Sequence, residues 1–571
     1  MAQGRTTEPG GSLRPIKRPF QLPFAQPPGA DTWLMAQPYG NTTGAYRQRF
    51  TTYGASGGIH FGLDLAAPCG TEVVAVADGI VFAVDGPFGS PPHNLMIDHP
   101  ELGYASMYGH LLEAPDLVPG QRVRQGEVVA QVGDPGETCY SRPHLHLEIR
   151  DLNHIRKFNP TALIEATWDN LTLVGSNGRD FARDLDEPRK WQSLYDQPEA
   201  RTGGPILNDF KNPWPLDWEK GILNPAARTN PILTSGAQEE TVTAMPLRSS
   251  AIGQQVTAGD CCTRPYWDVD SGEVRFIDQP TRNEPLGVWG VDVTRPQAGP
   301  HLVTGRLGVY SPNGQLVAYP NHETGLAVIE RLSDGRRWEV DTQGHSLSFT
   351  PDSLHVTWTT YDEDAPSDNR EETIWLADID GRNVRDVLRT RRTQVVAWLS
   401  ADELLLTRRI PGGSAQQLLS LSLADGLQTE LLPATPRMRG LALSPDKRYL
   451  AYYVSQEAET DKNGIWLLDL RDPASVPRKL PFFGTYRWRD NQRLVYVPFD
   501  PDAREHNFHE YDVLARKTRT LFLAGTGLMI ANNDWQVSPD GRRIAMVAAN
   551  GTVLDGIWVL DIQQNQESMN E

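Results

Sequence analysis

Short runs of alternating apolar and polar residues fill the stretch from residue 59 to about residue 165. Gly, Pro and Asp divide this stretch into pieces of strand length, among them TEVVAVADGIVFAVDG, NLMIDH, QRVRQGEVVAQVGD and HLHLEIRD. A period of two bounded by turn-forming residues predicts β-strands joined by hairpins. We therefore predict a compact antiparallel β domain over residues 46–165.

The second half of the chain repeats one sequence pattern, in which the end of a strand is followed by a turn and then by an apolar strand, as in LSPDKRYLAYY and VSPDGRRIAMV. The turns lie 39 to 50 residues apart and are centred on Asp270, Asn313, Asp352, Asp402, Asp446, Asp490 and Asp540. This spacing is typical of propeller blades of four strands each. The repeat predicts a β-propeller over residues 251–571, with seven blades favoured and six still compatible.

Most repeats carry a further strand such as IWLADID, GIWLLDL or GIWVLDI. The last repeat stops after this strand, so residues just before 260 could supply its outer strand and close the ring. The combined SPDG and IWxxD plan resembles TolB-type β-propellers over about residues 250–565. The recurring tryptophans are interpreted as packing between blades; they are Trp289, Trp375, Trp466 and Trp558.

Two segments lack such periodicity. Residues 1–45 are rich in Pro and Gly and are predicted to form an extended N-terminal arm, and residues 166–250 are predicted to be an irregular connector. The predicted fold class is therefore all-β, with a small antiparallel β-sheet domain followed by a C-terminal propeller.

Charge and hydropathy restrict the classes of partner that the protein can bind and the membrane segments that it can contain. The formal net charge is −18, which disfavours nucleic acid and anionic membrane surfaces as partners. No window of about 18 apolar residues is present, as a transmembrane helix requires. The N-terminal text MAQGRTTEPGGSLRPIKRPF has no apolar region of the kind found in signal peptides. Either the protein is cytoplasmic, or the chain begins after a removed export segment.

The segment PHLHLEIR places two histidines on one face of a predicted strand. His144 and His146 are two residues apart, so their side chains leave a strand on the same side, while Leu145 and Leu147 face a core on the other. This geometry suits two imidazoles that share a metal and its water. It equally suits a surface strand whose two histidines have no functional role.

Two more segments carry groups of the same kind. GGIHFGLDL places His60 and Asp64 four residues apart, and YASMYGHLL presents His110 after a β-prone run. A catalytic zinc takes three N and O ligands and keeps a position for water. A hydrolase also needs unbound groups that orient the water and stabilise the oxyanion. The five groups divide naturally into three ligands and two helpers.

HFGLDL, YGHL and RPHLHLEIR, in this order and with these intervening strands, resemble the LytM and lysostaphin-type zinc metallopeptidases over about residues 55–160. The resemblance implies a Zn²⁺ cofactor held by His60, Asp64 and His146. It implies that His110 and His144 are catalytic histidines, which polarise the water and steady the oxyanion. It also implies a substrate, because these enzymes cut peptide bonds of bacterial peptidoglycan.

The rim of the expected cleft departs from this family. Arg142 stands where the family usually has glycine, within a differently built loop, GDPGETCYSRP. Tyr140 and Arg142 either line the substrate groove or are plain loop residues. Glu148 is either a general base or a contact that supports His146 from behind.

Four cysteines are too few for a disulfide scaffold but allow one or two bridges. Cys69 and Cys139 each lie within a few residues of a histidine motif, and a disulfide between them would join those loops. Cys261 and Cys262 are adjacent and have no assigned role.

The first hypothesis is an exported zinc endopeptidase that hydrolyses peptidoglycan peptides, with a propeller that binds glycan, peptide or a protein partner. The family's substrate and the expected disulfide place it outside the cell, in the envelope or in the periplasm. The second hypothesis is a non-catalytic envelope-binding or scaffolding protein that retains zinc. In a third, the propeller carries the main function and the front domain docks it to the wall. The complete five-residue set favours the enzyme.

Overall fold

The computed structural model describes residues 18–135, 139, 142–175, 181–210, 247–250, 253–259, 261–321, 324–361, 371–411, 413–522 and 527–562. Their regular secondary structure is almost entirely β-strand, which confirms the predicted all-β class. The helices in these ranges are single turns, and none has the length and apolar character needed to cross a bilayer. The α-helices are α1 (Thr43–Arg47), α2 (Pro160–Leu163) and α3 (Trp168–Leu171), and the 3₁₀ segments are Gly54–Ser56, Pro296–Ala298 and Thr460–Lys462.

The N-terminal module, comprising the described residues between 18 and 210, contains one large antiparallel sheet and one small one. The strands are β1 (Leu34–Gln37), β2 (Leu63–Ala66), β3 (Glu72–Val74), β4 (Gly79–Val84), β5 (His93–His99), β6 (Tyr104–Leu111), β7 (Arg122–Val123), β8 (Val128–Gln131), β9 (His144–Asp151), β10 (Arg156–Phe158) and β11 (Ala200–Arg201). The large sheet has the order β1-β2-β9-β6-β5-β4-β7, with β10 and β11 attached through β9, whereas β3 pairs with β8.

The alternation of β9 decides which side chains enter the core. Leu145, Leu147 and Ile149 are all 0% exposed and lie in the main apolar cluster of the module. The opposite face of the same strand carries polar groups, as a period of two requires. The two-residue spacing of His144 and His146 therefore places both on the side away from this core.

Part of the predicted N-terminal arm belongs to this sheet. β1 pairs with β2, Met35 and Tyr39 are buried in the core, and the backbone of Gly40 forms a bridge with that of His60. Residues 18–45 thus support the strand that carries the candidate site, and residues 1–17 lie outside the described residues.

The propeller consists of seven sheets over the described residues between 247 and 562. Its strands are β12 (Ser249–Ser250), β13 (Gly253–Gln255), β14 (Tyr266–Trp267), β15 (Glu273–Asp278), β16 (Gly287–Asp292), β17 (His301–Thr304), β18 (Val309–Tyr310), β19 (Leu316–Pro320), β20 (Ala327–Arg331), β21 (Arg337–Val340), β22 (Leu347–Phe349), β23 (His355–Tyr361), β24 (Glu371–Asp378), β25 (Arg385–Arg391), β26 (Thr393–Trp398), β27 (Glu403–Arg409), β28 (Gln416–Ser422), β29 (Gln428–Thr435), β30 (Arg439–Leu443), β31 (Tyr449–Val454), β32 (Gly464–Asp469), β33 (Arg478–Lys479), β34 (Gly484–Trp488), β35 (Arg493–Pro498), β36 (His509–Asp512), β37 (Lys517–Thr520), β38 (Met529–Val537), β39 (Arg543–Asn550) and β40 (Val553–Asp561).

Six blades are made of four consecutive strands each, from β14–β17 to β34–β37. The seventh contains β38, β39 and β40, and β13 pairs with β40 as its outer strand. Seven blades are therefore present, and the expectation that residues before 260 close the ring is confirmed. Trp289 is 5% exposed in one apolar cluster of the propeller, and Trp558 is 4% exposed in another, as expected of residues that pack between blades.

The repeated turn has a local chemical cause. In the fifth blade, Asp446 Oδ1 accepts hydrogen bonds from Ser444 Oγ at 2.7 Å and from the Arg448 N–H at 3.2 Å. Such side-chain-to-backbone bonds fix a tight turn between two strands. The same contact joins Ser538 Oγ to Asp540 Oδ1 at 2.6 Å. The sequence anchors were therefore turn-forming residues between the first and second strands of the blades.

The N-terminal module packs directly on the propeller. Leu34, Leu173 and Val174 share an apolar cluster with residues of the fifth, sixth and seventh blades. His506 lies at this interface, where its Nδ1 accepts from the Ile530 N–H at 2.8 Å and its Nε2 donates to Asn170 Oδ1 at 2.8 Å. The predicted connector thus contains α3 and β11 and forms much of the contact between the two parts.

Candidate metal centre and active site

Strand pairing brings the predicted site residues together from three parts of the sequence. Asp64 on β2 lies opposite His146 on β9, and Gly109 on β6 lies opposite His146 from the other side. His110 follows Gly109, and His60 precedes β2. The middle of the sheet therefore collects all five of the predicted groups.

Three of these groups form a compact donor cluster. His60 Nε2 lies 3.2 Å from Asp64 Oδ1, and His146 Nδ1 lies 2.8 Å from the same oxygen. The three donor atoms lie within 4.8 Å of one another. The two rings are buried, whereas the Asp64 side chain is 14% exposed and opens toward solvent. Two imidazole nitrogens and a carboxylate oxygen are donors that zinc takes in proteins.

The far nitrogen of each of these histidines is held by another group. His60 Nδ1 donates to the Pro38 carbonyl at 2.7 Å, so its Nε2 presents a lone pair to the cluster. His146 Nε2 lies 3.2 Å from Glu148 Oε1, and Arg150 Nε donates to Glu148 Oε2 at 2.6 Å. Such supporting contacts fix the ring orientation of metal-binding histidines. Glu148 is therefore behind His146, which favours the supporting interpretation over the general base.

Electrostatics favour a cation in this cluster. Burial acts to raise the pKa of Asp64, but the surrounding histidines outweigh it and hold the pKa well below its usual range. Burial acts to lower the pKa of His146, but Asp64 and Glu148 raise it to about 9. Burial likewise opposes ionisation of Glu148, yet Arg150 and His146 hold its pKa below the ordinary value. Two ionised carboxylates thus face His146.

The other two histidines lie beside the cluster and do not belong to it. The His110 and His144 rings have centroids 4.8 Å apart, and His144 Nε2 lies 3.8 Å from Asp64 Oδ2. His144 Nδ1 donates to the Arg142 carbonyl at 2.7 Å, and His110 Nδ1 donates to the Pro91 carbonyl at 2.5 Å. Both Nε2 atoms are therefore left with lone pairs. His110 has φ of 57°, a backbone conformation that non-glycine residues adopt mainly under tertiary constraint.

Burial, followed by the charges of His144 and His146, lowers the pKa of His110 to about 4. At neutral pH this ring is uncharged, with its proton on Nδ1. It can accept a proton or a hydrogen bond at Nε2 from a molecule in the cleft.

The remaining predicted residues have different outcomes. Cys69 and Cys139 form a disulfide, with their Cα atoms 5.6 Å apart. Arg142 is exposed at the rim, next to His144, while Tyr140 lies outside the described residues. Cys261 and Cys262 are bonded to each other and buried in the propeller.

Three further residues support the site, and the sequence carried no signal for the first two. The Pro38 carbonyl and the Arg150 guanidinium hold the metal-side groups, as described above. Gly62 is the third: a Cβ atom there would lie 2.6 Å from the Leu147 carbonyl oxygen and 2.7 Å from His146 Nε2. Glycine is therefore required beside the His146 ring.

Comparison with known proteins places part of the chain in a family. The family model described as Peptidase family M23 matches residues 58–160. The DD-carboxypeptidase/endopeptidase Mpg of Neisseria meningitidis serogroup B is 41% identical over 92 residues, as is the Mpg of Neisseria gonorrhoeae. The match spans 16% of this chain and 20% of the length of each relative.

Solved structures match about half of the chain. Oligogalacturonate lyase from Vibrio parahaemolyticus is 10% identical with a TM-score of 0.41, covering 56% of this chain and 97% of the other. TolB from Acinetobacter baumannii is 13% identical with a TM-score of 0.28, covering 48% and 76%. The seven sheets of the chain itself define its propeller. Residues 58–160 form a domain of peptidase family M23.

Proposed function

We propose that the protein is a zinc-dependent endopeptidase that hydrolyses peptide bonds of bacterial peptidoglycan. One observation carries the proposal: three metal-type donors lie within 4.8 Å of one another, with two further histidines beside them. The relationship to Mpg supports a peptidase that acts on peptidoglycan. Zinc, the bond cleaved and the cellular location are parts of the proposal.

The residues present fit a zinc ion. His60, Asp64 and His146 would hold it through Nε2, a carboxylate oxygen and Nδ1, because the other ring nitrogen of each histidine is already engaged. Bound zinc supplies Lewis acidity, which lowers the pKa of a bound water and polarises a carbonyl. The carboxylate of Glu148 behind His146 fixes the ring so that Nδ1 faces the cluster.

His144 and His110 are suited to proton transfer. Each holds its proton on Nδ1 by donation to a backbone carbonyl, so each Nε2 keeps a lone pair that can accept a proton. In the proposed reaction, one Nε2 accepts the proton of the attacking water. The resulting imidazolium then donates a hydrogen bond to the oxyanion or a proton to the leaving amine. Loss of such a positioned group lowers the rate by about 10²–10⁴-fold.

The Cys69–Cys139 disulfide supports an exported protein, since such bonds persist in oxidising compartments. It ties the segment after β2 to the loop before β9, and both strands carry site residues. We propose that the propeller binds or orients the wall substrate or a partner at its contact with the module.

The test is hydrolysis of purified peptidoglycan by the full-length protein, with released peptides measured by chromatography. The wild-type protein should release peptides, and His144→Ala and His110→Ala should each reduce the rate by about 10²-fold or more. His154→Ala is the matched control, because His154 contacts Asp98 away from the cluster. A rate in His144→Ala equal to that of the control would contradict the proposed role.

The second candidate is a wall-binding or scaffolding protein without turnover. It would be favoured if the folded wild-type protein bound zinc and sedimented with peptidoglycan but released no peptide. The complete cluster and the paired histidines favour the enzyme, because a binding module needs no imidazole lone pairs beside the metal-type donors.

A further inference from the structure

A cavity of about 610 Å³ lies between the rim of the M23 domain and the propeller. The M23 domain contributes Arg142, and the propeller contributes the rest of the wall. The charged residues among its described lining are Arg142, Glu372, Arg392, Arg409 and Arg437. Its volume is in the range of pockets that hold small ligands or a few residues of a peptide.

The propeller part of the wall lies on the face that meets the N-terminal module. It includes the ends of β23 and β27, the starts of β24 and β28, and the segments that lead into β26 and β30. The same type of loop, between the second and third strands of a blade, contacts the module at Gln456, whose side chain donates to the Ala66 carbonyl at 2.6 Å. Ala66 belongs to β2, the strand that carries Asp64. The cavity and the candidate active site are therefore neighbours along one interface.

The cavity is strongly basic. Its described lining residues include four guanidinium groups and one carboxylate, that of Glu372. Burial, reinforced by the positive charges of neighbouring arginines that include Arg142 and Arg409, lowers the pKa of Arg437 to about 10. Like charges gathered in this way repel one another unless an anion joins them.

Several arginines elsewhere in the propeller have carboxylate partners. Arg489 is paired with Glu510 at 2.5 Å, and Arg448 with Asp469 at 2.8 Å. Within the described part of the chain, no such ion pair involves Arg142, Arg392 or Arg437. Among the described residues, a carboxylate therefore pairs with Arg489 and with Arg448 but not with Arg142, Arg392 or Arg437.

We propose that this cavity binds a carboxylate group of the peptide substrate, so that the propeller forms part of the substrate site. The inference rests on the proposed function and deepens it. Arg142 links the two places, since its backbone carbonyl holds His144 and its side chain lines the cavity. A peptide that reaches from the cleft past Arg142 would place an acidic group among the propeller arginines. Guanidinium groups bind carboxylates through paired, charge-assisted hydrogen bonds.

The test is a binding measurement that does not depend on turnover. The full-length protein is treated with 1,10-phenanthroline, a neutral chelator that does not itself compete for a basic pocket. Calorimetry then compares a synthetic stem pentapeptide with the same peptide whose carboxylates are amidated. The wild-type protein should bind the acid at least about tenfold more tightly, the scale of one charge-assisted hydrogen bond.

Arg392→Gln/Arg437→Gln should bring this ratio of dissociation constants close to one. The matched control is Arg382→Gln, which removes the same charge from a site whose side chain is 82% exposed, in the turn between β24 and β25. Its ratio should equal that of the wild-type protein. If the double variant does not fold, as judged by its thermal transition, Arg142→Gln on the rim replaces it.

A wild-type ratio near one, the absence of measurable peptide binding, or an unchanged ratio in the folded pocket variant would overturn the inference. Hydrolysis assays of the protein without chelator test the proposed peptidase activity separately from the carboxylate-binding pocket. Acid-selective binding without hydrolysis would preserve the pocket and reject the peptidase, whereas hydrolysis without acid preference would do the reverse.

Discussion

Glu148 provides a sharp test of how the site is built, because it serves both the folded state and the candidate metal ligand. Its side chain is 0% exposed and accepts from Arg150 Nε, while its other oxygen faces His146 Nε2. Arg150 is itself only 4% exposed. Glu148→Gln keeps the size of the side chain but offers one acceptor to two donors.

The expected loss of stability follows from this burial. Removing one partner of a buried ion pair costs about 3–5 kcal/mol, and we expect about 3 kcal/mol because the amide oxygen retains one contact. The loss of the contact behind His146 should separately weaken zinc binding by about 10–100-fold, the usual effect of removing such a support.

Two further variants separate these effects. Arg150→Met should destabilise the protein but leave zinc affinity close to wild type, because Glu148 still faces His146. Glu148→Gln/Arg150→Met should regain much of the stability, since no unpaired charge is left, yet keep the weakened zinc affinity.

Urea unfolding gives the free energies, and competition with a chromogenic chelator gives the zinc dissociation constants. Zinc binding by the folded double variant within about twofold of wild type would show that Glu148 does not support His146, because the expected change is about 10–100-fold.

Three other predictions concern the interface, the packing at the site and the disulfide. Burial lowers the pKa of His506 to about 4 in the folded protein, while this side chain titrates near 6.5 in the unfolded chain. Wild type should therefore lose up to about 3 kcal/mol of unfolding free energy relative to His506→Gln as the pH falls from about 6.5 to about 4. Urea titrations of both proteins measure this difference, and a difference that stays constant with pH would contradict the prediction. Gly62→Ala should weaken zinc binding at least about tenfold in the chelator competition by displacing the metal-side ring, whereas Gly272→Ala, with open space around its added Cβ, should not; equal affinities would count against the packing argument. Replacing both Cys69 and Cys139 by Ser should lower the free energy of unfolding by about 4 kcal/mol at most, from the entropy of a loop closed across 70 residues, and an unchanged urea midpoint would show that the bond does not constrain the unfolded chain.

The features that the sequence predicted well have local causes. Asp446 and its equivalents mark the blades because their turns are closed by bonds to residues two positions away. The His144 and His146 pair was recognisable because a strand repeats every two residues. The metal and catalytic roles assigned to these residues stay predictions.

The features that the sequence did not predict depend on distant partners. Residues 18–45 look irregular because their stabilising contacts, such as the pairing of β1 with β2, lie elsewhere in the chain. Glu148 had two interpretations until Arg150 and His146 were seen on its two oxygens. Arg142 had no evident role because the other arginines of its cavity lie about 250 residues or more away.

We propose that five side chains divide into three metal ligands and two proton carriers. Zinc per chain, measured by mass spectrometry on purified full-length protein, distinguishes the two roles. We expect one zinc in wild type and in His144→Ala, and none in His146→Ala, because His146 Nδ1 belongs to the donor cluster and His144 does not. Loss of zinc from His144→Ala together with its retention by His146→Ala would contradict this assignment.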